Sequence, residues 1–476
     1  MGQGKGILKN TLIYAIGNFG SKLLVFLLLP LYSFYLTKDE FGIYDLIIVT
    51  INLLVPIITL QAPESVYRWL IEAKDNVHQQ GKIIFNGLII VTLVALGFFA
   101  IFYVATFFFN FQYTWYFALL LLFSCYVPFF QKVLRGLGKT KEFAVSGLIY
   151  TSLFLVFTLF FVFYLDLGIA SLLLAAIIAS FLVILYLLKN IKVEKVFGRN
   201  NFEYPLVQEM VKYSAPLVPN SISWWLINAS DKYLILLLLN VESNGIYAVS
   251  TRFPAIVTLV NSIFLLAWQD HSINAEDDKK SVQFISRLFN VYVTFELSLV
   301  IFLISISYFL IKFFIDPAYI ESWKYIPLLF LGVAFQAFSA YFGVLFQKAK
   351  QTKGIFVSSF IGGIVNFSIS LLLLDKIGLY APAIGTFISF LLVYLYRRKL
   401  SSKFYTVETN NLKFILLTLI AIGFIALGSF NIFWLNLVLI VIASVMFVGL
   451  NWKLMNDLKQ LLLERFNSPQ KNKETS

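Results

Sequence analysis

Residues 10–36 read NTLIYAIGNFGSKLLVFLLLPLYSFYL. The stretch is long enough to cross a hydrocarbon core as one helix, and its single charge, Lys22, sits near the middle. Lys22 lies thirteen residues from Lys9 and fourteen from Leu36, which puts its ammonium roughly 20 Å of helix rise from either end. That is too deep to snorkel out comfortably. A cation at membrane depth faces protein or a watery cavity and marks a substrate or ion path. Lys232 and Arg252 recur far along the chain in similarly apolar surroundings. Three such cations point to an anionic cargo.

The rest of the chain is of the same kind. Hydrophobic residues make up 59% of 476 positions and charged residues 13%, which excludes an ordinary soluble domain. One cysteine, Cys125, allows no intramolecular disulfide or cysteine-based metal cluster, and two histidines, His78 and His271, argue against a zinc site. The polar start, Met1–Asn10, followed by so long an apolar run, does not read as a cleaved signal peptide. A net charge of +12 would suggest nucleic acid in a soluble protein. Here the cations sit in loops, so they orient the chain in a membrane and no nucleic-acid partner is expected.

Apolar windows of about 20 residues recur near 10–36, 42–66, 83–105, 114–134, 143–165, 168–188, 210–239, 243–268, 286–312, 323–347, 354–374, 378–396, 413–430 and 433–452. The fold class is therefore all-α and polytopic, with about fourteen transmembrane helices. The proline-containing first, second, seventh and eighth are candidates for a break. With both termini cytoplasmic, the cytoplasmic segments hold 30 of the 37 basic residues. Only Lys38, Lys312, Lys324 and Lys376 fall outside, and a helix more or fewer scrambles that partition. The tail Leu454–Phe466 has apolar residues at helical spacing and reads as a short interfacial helix.

The two halves echo each other. Lys22 and Gly42-Ile43-Tyr44 are answered by Lys232 and Gly245-Ile246-Tyr247. Phe130-Gln131-Lys132, Thr140-Lys141 and Val145-Ser146 are answered by Phe346-Gln347-Lys348, Thr352-Lys353 and Val357-Ser358. Matched pairs lie six helices apart, so the halves are parallel, and transporters built this way hold substrate between them. The division expected is an N-terminal lobe 1–188, a linker 189–209, a C-terminal lobe 210–397, two extra helices 398–452 and a tail 453–476.

Other polar residues within spans complete the candidate site. Asn18, Asn220, Trp225 and Asn228 could line a cleft beside the cations. Glu296, alone in an apolar helix, and Asp231 are candidates for ion coupling. Glu64 and Arg68, four apart on one helix, suit a structural ion pair. Gly138-Lys139-Thr140 is no phosphate loop, because Val133 stands where the motif needs glycine. No catalytic constellation or metal set stands out, and no large loop exists to host a polymerase or glycosyltransferase.

The run Lys9-Asn10-Thr11 through Gly17-Asn18-Phe19-Gly20, then Pro30 and Lys38-Asp39-Glu40-Phe41-Gly42-Ile43-Tyr44, resembles the polysaccharide-transporter family of the multidrug/oligosaccharidyl-lipid/polysaccharide exporter superfamily. Residues 216–232, PLVPNSISWWLINASDK, and Gly245-Ile246-Tyr247-Ala248-Val249-Ser250 strengthen the resemblance. It implies two six-helix lobes in a V, two extra helices, alternating access and a bacterial cytoplasmic (inner) membrane location. It also implies flipping of undecaprenyl-diphosphate-linked oligosaccharide repeat units for O-antigen, capsule or exopolysaccharide. The expected partners are that polyprenyl-diphosphate-linked oligosaccharide, membrane lipids, and a polysaccharide polymerase with a chain-length regulator. No cofactor is expected beyond a proton or sodium gradient. A peptidoglycan-precursor flippase and a multidrug cation antiporter are the alternatives on the same fold.

Overall fold

The structure, a computed structural model, describes residues 28–73, 76–108, 111–191, 201–274, 279–349 and 351–467. Lys22, Asn18 and most of the first expected span lie outside the described residues. The described chain is helical throughout, with no strand. Its helices are α1 (Leu29–Tyr35), α2 (Lys38–Ile58), α3 (Ala62–Glu72), α4 (Val77–Ala105), α5 (Thr114–Gly136), α6 (Thr140–Phe160), α7 (Ile169–Ile191) and α8 (Tyr204–Ser214). Then follow α9 (Val218–Leu238), α10 (Val241–Asn274), α11 (Lys279–Phe314), α12 (Ile326–Lys348), α13 (Thr352–Ile377), α14 (Tyr380–Ser401), α15 (Asn411–Gly428) and α16 (Phe433–Asn467).

Twelve helices among the described residues are long and apolar enough to cross a membrane. They coincide with twelve of the fourteen expected spans, and the chain is a multi-pass integral membrane protein. Of the other two, the first survives in the described residues only as α1. The seventh is the helix α9, which carries Asn220, Ser221, Ser223, Asn228, Ser230, Asp231 and Lys232 and is too polar to qualify by composition. Its polarity is the reason to look there for a site.

Local chemistry sets the helix ends. Thr37 opens α2 with a capping box: its hydroxyl accepts from the Glu40 N–H at 3.2 Å, and Glu40 accepts from the Thr37 N–H at 3.0 Å. Pro30 lies in the first turn of α1, where its missing N–H leaves no gap. The second expected span is broken, as Leu60 and Gln61 take positive φ of 47° and 53° between α2 and α3. The seventh breaks at the tight turn Ala215–Leu217 that holds Pro216. The eighth does not break, since α10 runs 34 residues through Pro254. Nearby Ser250 and Thr251 hydroxyls bond the carbonyls of Ile246 and Ala248 in the preceding turn.

Two expectations need correcting. The tail is no separate interfacial helix, because α16 continues unbroken from Phe433 to Asn467. Arg397 is not a loop cation either. It is 2% exposed, inside α14, with Nε donating to Ser358 Oγ at 2.8 Å and Nη1 to the Ser339 carbonyl at 3.0 Å. Repeat matching fares better in detail. The matched glycines Gly42 and Gly245 each lie four residues past the start of their helices, at Lys38 and Val241. The matched Thr140 and Thr352 each begin a helix.

Packing divides the chain into two compact units. The first holds Met1–Arg252, Ile315–Tyr319 and Ser359–Pro382. Within it α9 lies on α2, where Gln61 donates to Ser221 Oγ at 2.6 Å and the Trp225 indole to the Val49 carbonyl at 3.0 Å. Residues 315–319 brace α1: the Asp316 N–H donates to Ser33 Oγ at 3.1 Å and the Tyr319 hydroxyl to the Leu36 carbonyl at 2.9 Å. Burial, then nearby Asp316, holds that phenol above its ordinary pKa, so it stays a donor.

The second unit holds Phe253–Phe314, Ile320–Ser358 and Ala383–Ser476. Its core is aromatic. Trp268 stacks on Tyr341 with centroids 4.4 Å apart, and Phe289, Phe338, Tyr394 and Phe414 pack around them. Against this core α16 is pinned through Asn451, which donates to Ser298 Oγ of α11 at 2.8 Å.

Candidate functional site

Two glycines decide how α2 meets α10. A Cβ on Gly42 would run into the Val241 carbonyl, and one on Gly245 into the Lys38 carbonyl. Only glycine permits backbones this close. The Asn244 amide then donates to the Gly42 carbonyl at 2.9 Å in a fully buried contact, and Lys38 closes the rim on Glu242 at 2.7 Å. The two copies of the Gly-Ile-Tyr motif therefore pack against each other.

One turn beyond this crossing lies a buried charge cluster. From α2 comes Asp45, 2% exposed; from α9, Asp231 at 3% and Lys232 at 7%. From α10 come Tyr247 and Arg252. The Lys232 ammonium lies 2.5 Å from Asp45 Oδ2, and Arg252 Nη2 lies 3.2 Å from Oδ1. Asp231 faces the other way, accepting from the Tyr247 hydroxyl at 2.9 Å and from the Lys232 N–H at 3.0 Å. Two acids thus offset two cations, as burial demands. Arg252 is the one charged member not enclosed by protein, its side chain 33% exposed. The phenols of Tyr32 and Tyr44 lie within electrostatic range of its guanidinium. Tyr32 is 6% exposed and its hydroxyl makes no hydrogen bond among the described residues.

The structure therefore brings together Lys232, Arg252 and Asp231 from the expected site. It adds Asp45 and Tyr247, which sequence reading missed. The signal for Asp45 was present, since it is an acid in the first turns of the apolar span 42–66, far from the other acid there, Glu64. What the sequence hid was its partner, 187 positions away. Lys232 does not snorkel; Asp45 holds it inside.

The remaining candidates sit apart from the cluster. Trp225 is half-buried, tied to Val49 and beside the Tyr233 ring at 5.6 Å. Asn228 is exposed and its amide donates to the Trp224 carbonyl of its own helix at 2.8 Å, while Asn220 is half-buried in the first turn of α9. Glu296 lies in the second compact unit. The Glu64–Arg68 pair is not formed, which is a correction. Lys132 on α5 reaches Glu64 at 2.6 Å, and Arg68 turns to Glu72 at 3.6 Å and over the Tyr213 ring at 5.0 Å. Helix packing delivered a better partner than the adjacent turn could.

A family model described as polysaccharide biosynthesis protein matches residues 7–270 of this chain. A search of curated proteins finds no match. Among solved structures, the inward closed conformation of the lipid II flippase MurJ is similar with a TM-score of 0.70 at 16% identity, over 94% of this chain and 99% of that one. An inward-facing multidrug resistance MATE family transporter of the MOP superfamily is similar at 0.62 and 10% identity, over 82% and 95%. A MOP superfamily transporter from Pyrococcus furiosus Vc1, with a binding pocket of reverse polarity, is similar at 0.52 and 12% identity, over 83% and 96%. At these identities the likeness is one of fold.

Proposed function

Because the chain belongs to the polysaccharide biosynthesis protein family, we propose that it is a flippase for undecaprenyl-diphosphate-linked oligosaccharide repeat units. It would carry them across the bacterial cytoplasmic membrane for O-antigen, capsule or exopolysaccharide. The observation that carries this reading is the convergence of Lys232 and Arg252, from separate membrane helices, on the single carboxylate of Asp45. An internal acid occupying two cations is a place an incoming diphosphate can take over. Arg252 supplies the accessible edge, and a guanidinium suits bidentate contact with phosphate. Lys22, matched to Lys232 by the repeat, is the third cation of this reading. Asn18, Asn220, Trp225 and Asn228 would meet the glycan. Lobes 1–188 and 210–397 would rock about the bound head group while the polyprenyl tail stays in lipid.

The likeness to a lipid II flippase favours a peptidoglycan precursor as the second reading, since that cargo has the same diphosphate chemistry. An organic cation as cargo fits less well, because it would meet Arg252 first. The test uses a strain deleted for this gene. Wild type restores surface polysaccharide; Arg252→Gln, well expressed and inserted, leaves lipid-linked repeat units on the cytoplasmic face; Arg252→Lys restores part. Normal polymer from a Lys22→Gln, Lys232→Gln, Arg252→Gln triple variant overturns the proposal. Rescue of growth after depletion of the peptidoglycan-precursor flippase, without rescue of polymer, selects the second reading.

A further inference from the structure

Away from the charge cluster, the second compact unit holds an acid that the proposed cargo does not use. Glu296 lies mid-way along α11 and is 0% exposed. Its Oε1 accepts from the Asn261 amide of α10 at 2.8 Å, and its Oε2 makes no hydrogen bond among the described residues. No lysine or arginine among the described residues forms a salt bridge with it. A carboxylate in apolar surroundings with one donor and no counter-charge is strongly disfavoured.

The neighbours decide what balances it. The Asn261 carbonyl oxygen is engaged by the Tyr292 hydroxyl at 3.0 Å. That bond turns the amide so that its NH2 group, not its oxygen, faces the acid. Sodium and calcium need several oxygens converging on one point, and here a nitrogen donor stands where a second oxygen would have to be. A proton needs only Oε2. The Tyr292 ring is stacked under Phe264 at 4.0 Å, which keeps the hydroxyl aimed at Asn261. On α12, the Tyr341 ring lies 6.2 Å from that of Tyr292, and its hydroxyl is committed to the Ile285 carbonyl at 2.8 Å. From α16 the neutral Asn451 reaches Ser298, two residues past the acid.

We propose that Glu296 is a proton-binding site, oriented by Asn261 and Tyr292, which takes one proton from water onto Oε2 and returns it as the protein cycles. The site rests on the geometry of the second unit alone and is independent of the cargo. In the cycle, proton uptake converts a buried anion into a neutral acid, so the helix pair α10–α11 can stay dry only when it is loaded.

The test is infrared difference spectroscopy on the full-length protein in liposomes, titrated from acid to alkaline pH. A carboxylic C=O band should appear on acidification in wild type and be lost in Glu296→Gln. Tyr292→Phe, which removes a hydroxyl and keeps the ring, should retain the band but shift its frequency, because Asn261 loses the bond that orients it. Exchanging potassium for sodium at fixed pH should leave the band unchanged. Absence of any Glu296-dependent band, or a band that persists unaltered at every pH, overturns the proposal. Loss of the band on adding sodium also overturns it, in favour of a sodium site.

Discussion

Asp45→Asn is the sharpest perturbation of the charge cluster, because it removes the one group shared by both cations. Asp45 is 2% exposed and Lys232 7% exposed, at 2.5 Å. Deleting one partner of a buried pair leaves the other charge without compensation and costs about 3–5 kcal/mol, or two to four powers of ten in the folding equilibrium. Arg252 adds little to that sum. Its side chain is one-third exposed, its contact is longer, 3.2 Å, and Asp45 keeps Lys232 when it is lost, so its loss costs about 0–1 kcal/mol. The two substitutions should therefore separate: Asp45→Asn unfolds the protein early, while Arg252→Gln leaves stability nearly intact and affects transport. Adding Lys232→Gln to Asp45→Asn should recover most of the loss, since two neutral amides of similar size can hydrogen-bond in place of the ions. Equilibrium unfolding in mixed micelles, run as a double-mutant cycle, measures this directly. The reasoning fails if Asp45→Asn costs less than about 1 kcal/mol. It fails equally if the double variant is additive to within about 0.5 kcal/mol, the behaviour of sites that do not touch.

Two further outcomes follow from the packing and the charge pattern. Gly42→Ala should destabilise by about 1–3 kcal/mol, because its Cβ meets the Val241 carbonyl and the backbones must part; disulfide trapping between cysteines placed at positions 38 and 242 should weaken with it, and undiminished trapping counts against the close crossing. The partition read from the sequence, with 30 basic residues assigned to one side (29 without the buried Arg397) and 4 to the other, places positions 140 and 403 in the cytoplasm and position 376 outside, which cysteine labelling with impermeant reagents checks; labelling of position 376 only after permeabilisation refutes that orientation.

Much of the architecture was legible in the chain because its causes are local. Hydropathy over a window of one helix fixes where a span can lie, and twelve did lie there. The start of α2 is local too, set by Thr37 and Glu40 three residues apart, although the apolar window alone put it at residue 42. A cation inside an apolar stretch announces a buried partner or a cavity whatever the fold, so Lys232 and Arg252 could be singled out from sequence. Which partner each would take could not be. Arg68 had Glu64 one turn away, yet Lys132 came in from α5 and took that acid. Arg397 read as a loop cation because the pattern does not say how far α14 extends; two neighbouring helices, α12 through Ser339 and α13 through Ile355 and Ser358, supply its carbonyls and hydroxyl. Asp45 meets Lys232 across 187 positions because α9 packs on α2, while Gly42 and Gly245 let α10 approach α2 closely and bring Arg252 to the same carboxylate. Asn261 meets Glu296 because two apolar helices happen to turn those faces together. Sequence periodicity specifies which face of a helix is polar, but the choice of what that face touches is made by crossing angle and rotation, which belong to the packed molecule.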